Sequence, residues 1–549
     1  MSDAPLLSLR NLSVATSEGR AVVSNISLDV RAGETMCLVG ESGSGKSVTS
    51  LAVMGLLPRN ALRPVSGEIL LDGENLLAAS ETRLRALRAT SMAMIFQEPM
   101  TALNPIVRVG DQIDEVLRTH TRLGSQERRK RALGMLEEVH LPEAGRIYRS
   151  YPHQISGGQR QRIMIAMALI LRPRLLIADE PTTALDVTTQ KQIIALIREL
   201  RESHGTAVLF ITHDMGVVKE IADRVTVMRS GAVVESGSEP EVLATPKEDY
   251  TRKLLAAVPS LVPRRPRPEA DARALLAVRD LGKVYKAQAM FGPAREVVAA
   301  RNVDFVLRAG RTLGIVGESG SGKSTVARCA VGLTDPSEGA IELDGHKMPG
   351  QSFRELKPWR RRVQMIFQDP YRSLNPKIRV GESIVEGPTN YGVSHREAMV
   401  EARRLLELVG LPADSAARYP HQFSGGQRQR IAIARALAMK PDVLVADEAV
   451  SALDVSVQAQ VLELLAEIQA RLGVGILFIT HDLRVAAQIC DDVIVMKNGC
   501  IVEHGTAEEV LSRPRADYTR ALFEAAPGRD WDFPNCRPID RRSTPAAAE

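Results

Sequence analysis

Two acidic pairs, Asp179-Glu180 and Asp447-Glu448, each close an apolar run and each stand 34 residues ahead of a histidine, in Thr212-His213-Asp214 and Thr480-His481-Asp482. Upstream of each pair a glutamine ends another apolar run, in Phe96-Gln97-Glu98-Pro99 and Phe367-Gln368-Asp369-Pro370. First in each set comes a glycine-rich octapeptide, Gly40-Glu41-Ser42-Gly43-Ser44-Gly45-Lys46-Ser47, and its identical copy Gly317-Glu318-Ser319-Gly320-Ser321-Gly322-Lys323-Ser324. Between a strand-like run and a helix-like segment, such a stretch is a phosphate-binding loop: the glycines let successive N–H groups turn inward, and the helix N-terminus adds its positive dipole end. Lys46 and Lys323 would reach the β/γ-phosphates of a nucleotide. The chemistry that these residue types can perform together is phosphoryl transfer to water. Ser47 with Asp179, and Ser324 with Asp447, are candidate Mg²⁺ ligands, with Gln97 and Gln368 beside them. Glu180 and Glu448 are the candidate general bases, and Gln97, Gln368, His213 and His481 can sense the γ-phosphate. One acidic pair alone would read as helix-terminal charge, and one histidine as a core residue. Two sets in the same order reverse both readings.

A further pair of elements, Ser156-Gly157-Gly158-Gln159 and Ser424-Gly425-Gly426-Gln427, each leads a helix-like segment. Glycines at a helix start permit close backbone approach to an anion, and the dipole favours it. Each copy already owns a phosphate-binding loop, so this second phosphate reader is expected to serve the opposite copy.

The elements that must position these residues are written twice. Lys46 and Lys323 are 277 residues apart, Gln97 and Gln368 are 271 apart, and Ser156/Ser424, Asp179/Asp447 and His213/His481 are each 268 apart. That is a duplicated domain with shorter loops in the second copy. Leu175–Ala178 and Val208–Ile211 are continuous apolar runs, the pattern of parallel strands buried on both faces. Leu6–Val30 alternates and predicts a hairpin or meander, Val48–Leu57 predicts the helix after the first loop, and residues 111–150 carry helical periodicity. Arg224–Ser238 and Val493–Thr506 predict hairpins turning at Ser230-Gly231 and Asn498-Gly499. The resulting division is a first domain over 1–258, a Pro/Arg-rich linker over 259–274, a second domain over 275–526 and a tail over 527–549. The linker, with four prolines and three arginines in Pro259–Pro268, reads as an extended spacer.

With 71 Lys plus Arg against 66 Asp plus Glu, the net charge of +5 is mild for 549 residues and does not argue for nucleic acid or anionic lipid. Five cysteines without a CxxC pair suggest no zinc site and fit a reducing compartment. The sequence shows no secretory leader after Met1 and no apolar window long enough to span a bilayer, so work at a membrane would proceed through a partner.

The full motif set resembles a fused pair of ATP-binding domains of ABC transporters, over roughly residues 6–258 and 275–525. The resemblance implies an α/β fold of two tandem P-loop ATPase domains, each with a RecA-like core, an antiparallel β subdomain and a helical subdomain. It implies ATP and Mg²⁺ as ligands, and head-to-tail pairing that puts Gly40–Ser47 against Ser424–Gln427 and Gly317–Ser324 against Ser156–Gln159. Asp186 and Asp454, in Thr183-Ala184-Leu185-Asp186 and Ser451-Ala452-Leu453-Asp454, match the loops that cross that interface. Finer features resemble the ATPases of peptide/nickel importers: Gln97–Pro105, Gln368–Pro376, Tyr151-Pro152-His153-Gln154, Tyr419-Pro420-His421-Gln422 and Tyr250-Thr251-Arg252-Lys253-Leu254-Leu255. Fused dipeptide, oligopeptide, glutathione and microcin C importer ATPases are the nearest in kind. The implied partners are two integral-membrane permease subunits, docked near Gln97–Pro105 and Gln368–Pro376, and a solute-binding protein. The implied place is the cytoplasmic face of the cell (inner) membrane, held peripherally; no nucleic acid and no homodimer is required. The family's adenine-stacking aromatic matches Tyr285, whereas Thr16 stands at the aligned position of the first copy, which implies weaker ATP binding there. Cys536 stands alone, so the cysteine cluster of some relatives is not matched. A soluble twin ATPase acting on ribosomes or DNA, or an exporter ATPase, fits the short proline-rich linker and the paired Tyr-Pro-His-Gln less well.

Overall fold

Thr35–Val39, Leu175–Asp179 and Ala207–Thr212 are buried at every position, and so are Thr312–Val316, Val443–Asp447 and Gly475–Thr480. Strands apolar on both faces need cover on both sides, which places them in the middle of a parallel sheet. The computed structural model describes residues 4–97, 102–183, 185–264, 273–287, 295–349, 352–451 and 453–539. It falls into two units, Met1–Val258 with Pro527–Glu549, and Pro259–Ala526.

In the first unit six strands lie in the order Ala232–Ser238, Arg224–Arg229, Thr35–Val39, Ala207–Thr212, Leu175–Asp179, Met92–Ile95. All are parallel except Ala232–Ser238, which returns as a hairpin. The register sets Val39 beside Thr212 and Asp179 beside Ile211, so the loop after Val39, the acidic pair and His213 leave from one edge of the sheet. Ligands of open α/β sheets bind at that carboxyl edge. The second unit repeats the arrangement, with Val316 beside Thr480 and Asp447 beside Ile479.

A four-stranded antiparallel sheet accompanies each core, Ala21–Val30, Leu7–Thr16, Leu62–Leu71 and Glu74–Asn75 in the first unit, and Arg295–Arg308, Ala274–Ala287, Glu338–Leu343 and His346–Lys347 in the second. Leu9, Leu12, Val14 and Ile69 of the first such sheet share one apolar cluster with Met36, Leu38, Leu209 and Ile211 of the parallel sheet. Helices Val109–His120, Ser125–Glu138 and Ala144–Arg149 form the helical part of the first unit, and they bury Ile113, Leu117, Leu136 and Ile147. The expected hairpins are present, and Asn498 (φ 48°) and Gly499 (φ 82°) both take the left-handed angles of a type I′ turn.

Three expectations change in detail. The helix predicted over Val48–Leu57 runs from Lys46 to Val53, so the lysine and serine of the phosphate loop belong to its first turn. Pro259–Arg264, the described start of the linker, sits with the second unit, where Arg264 is ion-paired with the buried Asp491; residues 265–272 lie outside the described residues. The tail, set apart as its own segment, joins the first unit over 527–539: Phe533 is fully buried there beside helix Asp249–Ala256, the ammonium of Lys219 lies 4.1 Å above the Trp531 ring, and the Gly528 N–H donates to Glu220. Residues 540–549 lie outside the described residues. Among those that are described, no helix is long and apolar enough to cross a membrane.

Candidate active site

The first glycine of each octapeptide lies on the end of the neighbouring strand. A Cβ on Gly40 would stand 2.2 Å from the Met228 carbonyl oxygen, and one on Gly317 would stand 2.3 Å from that of Met496. At φ 148° and 152° these positions also exclude most side chains. The loop then curls around its own lysine. Lys46 Nζ donates to the carbonyls of Gly40 (2.7 Å) and Glu41 (2.8 Å), and Lys323 Nζ to those of Gly317 (2.8 Å) and Glu318 (2.6 Å).

Next to each lysine the loop serine meets the first acid. Ser47 Oγ donates to Asp179 Oδ1 at 3.2 Å, and Ser324 Oγ to Asp447 Oδ1 at 2.9 Å. Burial pushes the Asp179 carboxyl up to about 6, the neighbouring charge of Glu180 adds to this, and the serine hydrogen bond opposes it. Burial raises Asp447 as well.

The second acid is placed by strained backbone. Glu180 and Glu448 both adopt φ 47°, an angle that costs about 1 kcal/mol or more for a residue with a side chain. Each carboxylate is held at both oxygens. Gln97 Nε2 donates to Glu180 Oε2 at 2.8 Å, and His213 Nδ1 lies 3.2 Å from Oε1. In the second unit Gln368 Nε2 donates to Glu448 Oε2 at 2.7 Å, and His481 Nδ1 lies 3.4 Å from Oε1. Burial works to raise both carboxyls, but the bond and charge of the histidine hold each below the ordinary glutamate value. Reciprocally, burial works to lower His481, and Glu448 raises it overall. Each unit therefore joins loop, Asp, Glu, Gln and His into one site.

The Ser-Gly-Gly-Gln elements head their own helices, Gly157–Leu169 and Gly425–Leu437. Ser156 and Gln159 cap reciprocally, as do Ser424 and Gln427. Their glycines have different duties. Nothing stands within 4 Å of a Cβ at Gly157, whereas one at Gly158 would meet Thr189 at 2.7 Å and one at Gly426 would meet Val457 at 2.2 Å. The second glycine therefore allows the following helix to pack closely. Tyr285 is 41% exposed on strand Ala274–Ala287, with Lys283 Nζ 5.2 Å from its ring centroid, and Thr16 ends the equivalent strand of the first unit. Of the docking segment Gln97–Pro105, residues 98–101 lie outside the described residues, as do Ala184 and Ala452.

Two contacts escape sequence reasoning. Thr183 Oγ1 donates to Glu180 Oε2 at 2.9 Å, whereas its counterpart Ser451 donates to the backbone oxygen of Glu448. Tyr518 meets the second phosphate loop through the Glu318 N–H. Recurrence of Tyr-Thr-Arg at the same offset of 268, at Tyr250 and Tyr518, is the signal that could have found it.

Two sites of this composition, at the carboxyl edges of two parallel sheets, define a duplicated nucleotide-hydrolysing protein. The comparisons give its family. The ABC transporter domain model matches residues 23–183 and 300–451, and the model for the oligopeptide/dipeptide transporter C-terminal region matches 234–287 and 502–541. The peptidoglycan transport ATP-binding protein YejF of Agrobacterium fabrum is 48% identical over 530 residues, 95% of this chain and 96% of that one. The glutathione import ATP-binding protein GsiA of Salmonella typhimurium is 47% identical over 560 residues, 96% of this chain and 90% of that one. A dimeric structure of MJ0796, a bacterial ABC transporter cassette, is 30% identical and covers 42% of this chain and 98% of its own, with a TM-score of 0.39. The chain belongs to the ABC transporter ATP-binding family, with its domain in two fused copies. It is an ATPase, the ATP-hydrolysing subunit of an importer.

Proposed function

We propose that the chain powers uptake of peptides or closely related small solutes, holding two ATP molecules in composite sites, with Gly40–Ser47 facing Ser424–Gln427 and Gly317–Ser324 facing Ser156–Gln159. The observation that carries the site assignment is the repetition of one hydrogen-bonded Gln–Glu–His set beside each phosphate loop. In each half Lys46 or Lys323 neutralises the phosphates, and Glu180 or Glu448 orients water and takes its proton as the γ-phosphoryl group transfers. Both oxygens of each glutamate are engaged by Gln and His, so water and γ-phosphate arriving at the carboxylate would perturb those bonds, which suits Gln97, Gln368, His213 and His481 to act as sensors. The donors also fit Mg²⁺: paired hydroxyl and carboxylate oxygens at Ser47–Asp179 and Ser324–Asp447, and the amide oxygens of Gln97 and Gln368, whose NH₂ groups are turned to the glutamates. Bound there, Mg²⁺ would neutralise phosphate charge.

The site pairing has a direct test. In a chain carrying Lys323→Ala, which silences the second loop, ATP retention by the first loop is expected to be lost on Ser424→Arg and kept on Ser156→Arg. The reverse pattern overturns the pairing.

The cargo reading rests on the oligopeptide/dipeptide region and on relatives named for peptidoglycan and glutathione transport. Two permeases and a solute-binding protein would complete the machine at the cytoplasmic face of the inner membrane. Proteoliposomes built with the products of neighbouring reading frames test this: a peptide-loaded binding protein should stimulate ATP hydrolysis. Co-purification with ribosomes in place of membranes would count against it.

The two ATP sites differ in their adenine surroundings. With the second loop silenced, Thr16→Tyr is expected to tighten ATP binding at the first site roughly tenfold, the scale of one stacked base. Equal affinities of the two separately isolated wild-type sites would contradict this.

A further inference from the structure

The Tyr-Thr-Arg motif has no role in the chemistry above, yet its tyrosine reaches the phosphate loop. In the second unit the Glu318 N–H donates to the Tyr518 hydroxyl at 3.2 Å. The carbonyl of the same peptide, Gly317 O, accepts from Lys323 Nζ at 2.8 Å. One peptide plane is thus held by tyrosine on one side and carries the phosphate-binding lysine on the other. Because a peptide is planar, fixing its N–H fixes the direction of its carbonyl.

The tyrosine is itself held in place. Lys497 Nζ lies 4.5 Å from the centroid of its ring, and Lys497 directly follows Met496, whose carbonyl oxygen backs Gly317. The helix bearing Tyr518, Asp517–Ala525, is tied to strand Cys500–Thr506 by the Glu503 carboxylate, which accepts the N–H groups of Arg515 (2.7 Å) and Ala516 (3.1 Å). Arg520 donates to the carbonyls of Pro514 and Arg515 and closes that turn.

The first unit repeats the tethers but not the contact: among the described residues the buried Tyr250 hydroxyl has no hydrogen-bond partner. Glu235 accepts the N–H groups of Lys247 and Glu248, Arg252 donates to Pro246 and Lys247, and the Arg229 guanidinium lies 4.8 Å from the Tyr250 ring centroid. Burial and the adjacent Glu41 charge push the Tyr250 hydroxyl up to about 12, so it remains protonated beside its loop. Glu235, Tyr250, Glu503 and Tyr518 all fall within the two matches to the oligopeptide/dipeptide C-terminal region.

We propose that Tyr518 is a positioning residue for ATP: it braces the first peptide of the second phosphate loop and thereby aims Lys323, which gives the C-terminal region of this branch a role at the nucleotide. The proposal rests on the assignment of Lys46 and Lys323 as phosphate-binding residues. The lysine contacts phosphate before and during the reaction, so loosening it weakens binding in both states and raises KM more than it lowers kcat.

The test uses the full chain with Tyr518→Phe, which keeps the ring and removes the hydroxyl that accepts from Glu318. The KM for ATP is expected to rise about 3- to 10-fold, the scale of a lost hydrogen bond, with kcat within twofold of wild type. Tyr391→Phe removes a hydroxyl that donates to the Lys357 carbonyl, away from the loop, and is expected to leave KM unchanged. An unchanged KM in Tyr518→Phe overturns the proposal, whether or not its melting temperature falls, and so does an equal KM rise in Tyr391→Phe. The Lys46→Ala/Lys323→Ala chain separates the two readings. If it binds ATP as wild type does, the phosphate-loop assignment fails. If it loses ATP while Tyr518→Phe keeps a normal KM, only the bracing role fails.

Discussion

The Glu180→Gln/Glu448→Gln double variant is expected to lose ATP turnover by at least ~10²-fold while still binding ATP, because general-base catalysis contributes on that scale. Glutamine preserves the size of each side chain and can still bond to Gln97 or Gln368 and to the histidine. It cannot accept a proton from water. The native carboxylates can do so: burial works to raise each carboxyl, but the histidine together with the neighbouring lysine holds it low, which leaves each base ionised at neutral pH. Measuring steady-state hydrolysis beside nucleotide affinity checks the point. Near-normal hydrolysis by the double variant would remove both glutamates from the role of base.

Gly317→Ala is expected to lower the stability of the nucleotide-free second unit by about 2–4 kcal/mol, and Gly320→Ala by about 1 kcal/mol. The two glycines lie three residues apart in one loop, and both have positive φ, 152° and 80°. Only Gly317 is pressed against a neighbour. Its Cβ would stand 2.3 Å from the Met496 carbonyl oxygen and 2.9 Å from Ser321 Oγ, whereas a Cβ on Gly320 meets nothing within 4 Å. Backbone cannot yield as a flexible side chain can, so the loop must lift off its strand and carry the Lys323 acceptor with it. ATP affinity at this site should therefore drop more than tenfold in Gly317→Ala. Thermal unfolding without nucleotide, followed by ATP titration, checks both parts. Equal destabilisation by the two substitutions would show that close packing against Met496 is not what selects glycine there.

Much of the active site was legible in the sequence because its residues sit at strand ends, where an apolar run stops and a polar motif starts. Asp179, Glu180 and His213 are of this kind, and duplication made coincidence untenable. The parallel core was legible for a similar reason: Leu175–Ala178 and Val208–Ile211 have no polar face to show to water. What stayed hidden depends on contacts between segments far apart in the chain. Thr183 and Ser451 occupy matching positions with similar side chains, yet only the threonine hydroxyl turns to the glutamate carboxylate. The second glycine of each Ser-Gly-Gly-Gln element resembles an anion-binding residue until Thr189 or Val457 is seen against it. Tyr518 is 200 residues from Glu318, and no local periodicity reports such a contact. Pro527–Ile539 has too little apolar pattern to announce a fold, and its single large anchor, Phe533, finds its place only in the other unit of the duplication.

That placement gives the protein a timetable. The first unit is missing a piece until the last stretch of the chain has been made, because Pro259–Ala526 is translated between its main body and Pro527. At about 5–20 residues per second, the ribosome takes roughly 13–54 s over that interval. During it, the seat of Phe533 and the ring partner of Lys219 stand vacant on an otherwise finished domain. Cutting the gene after Val258 would make the vacancy permanent, so fusion in this chain supplies more than equal numbers of two halves: the second half delivers the closing segment of the first.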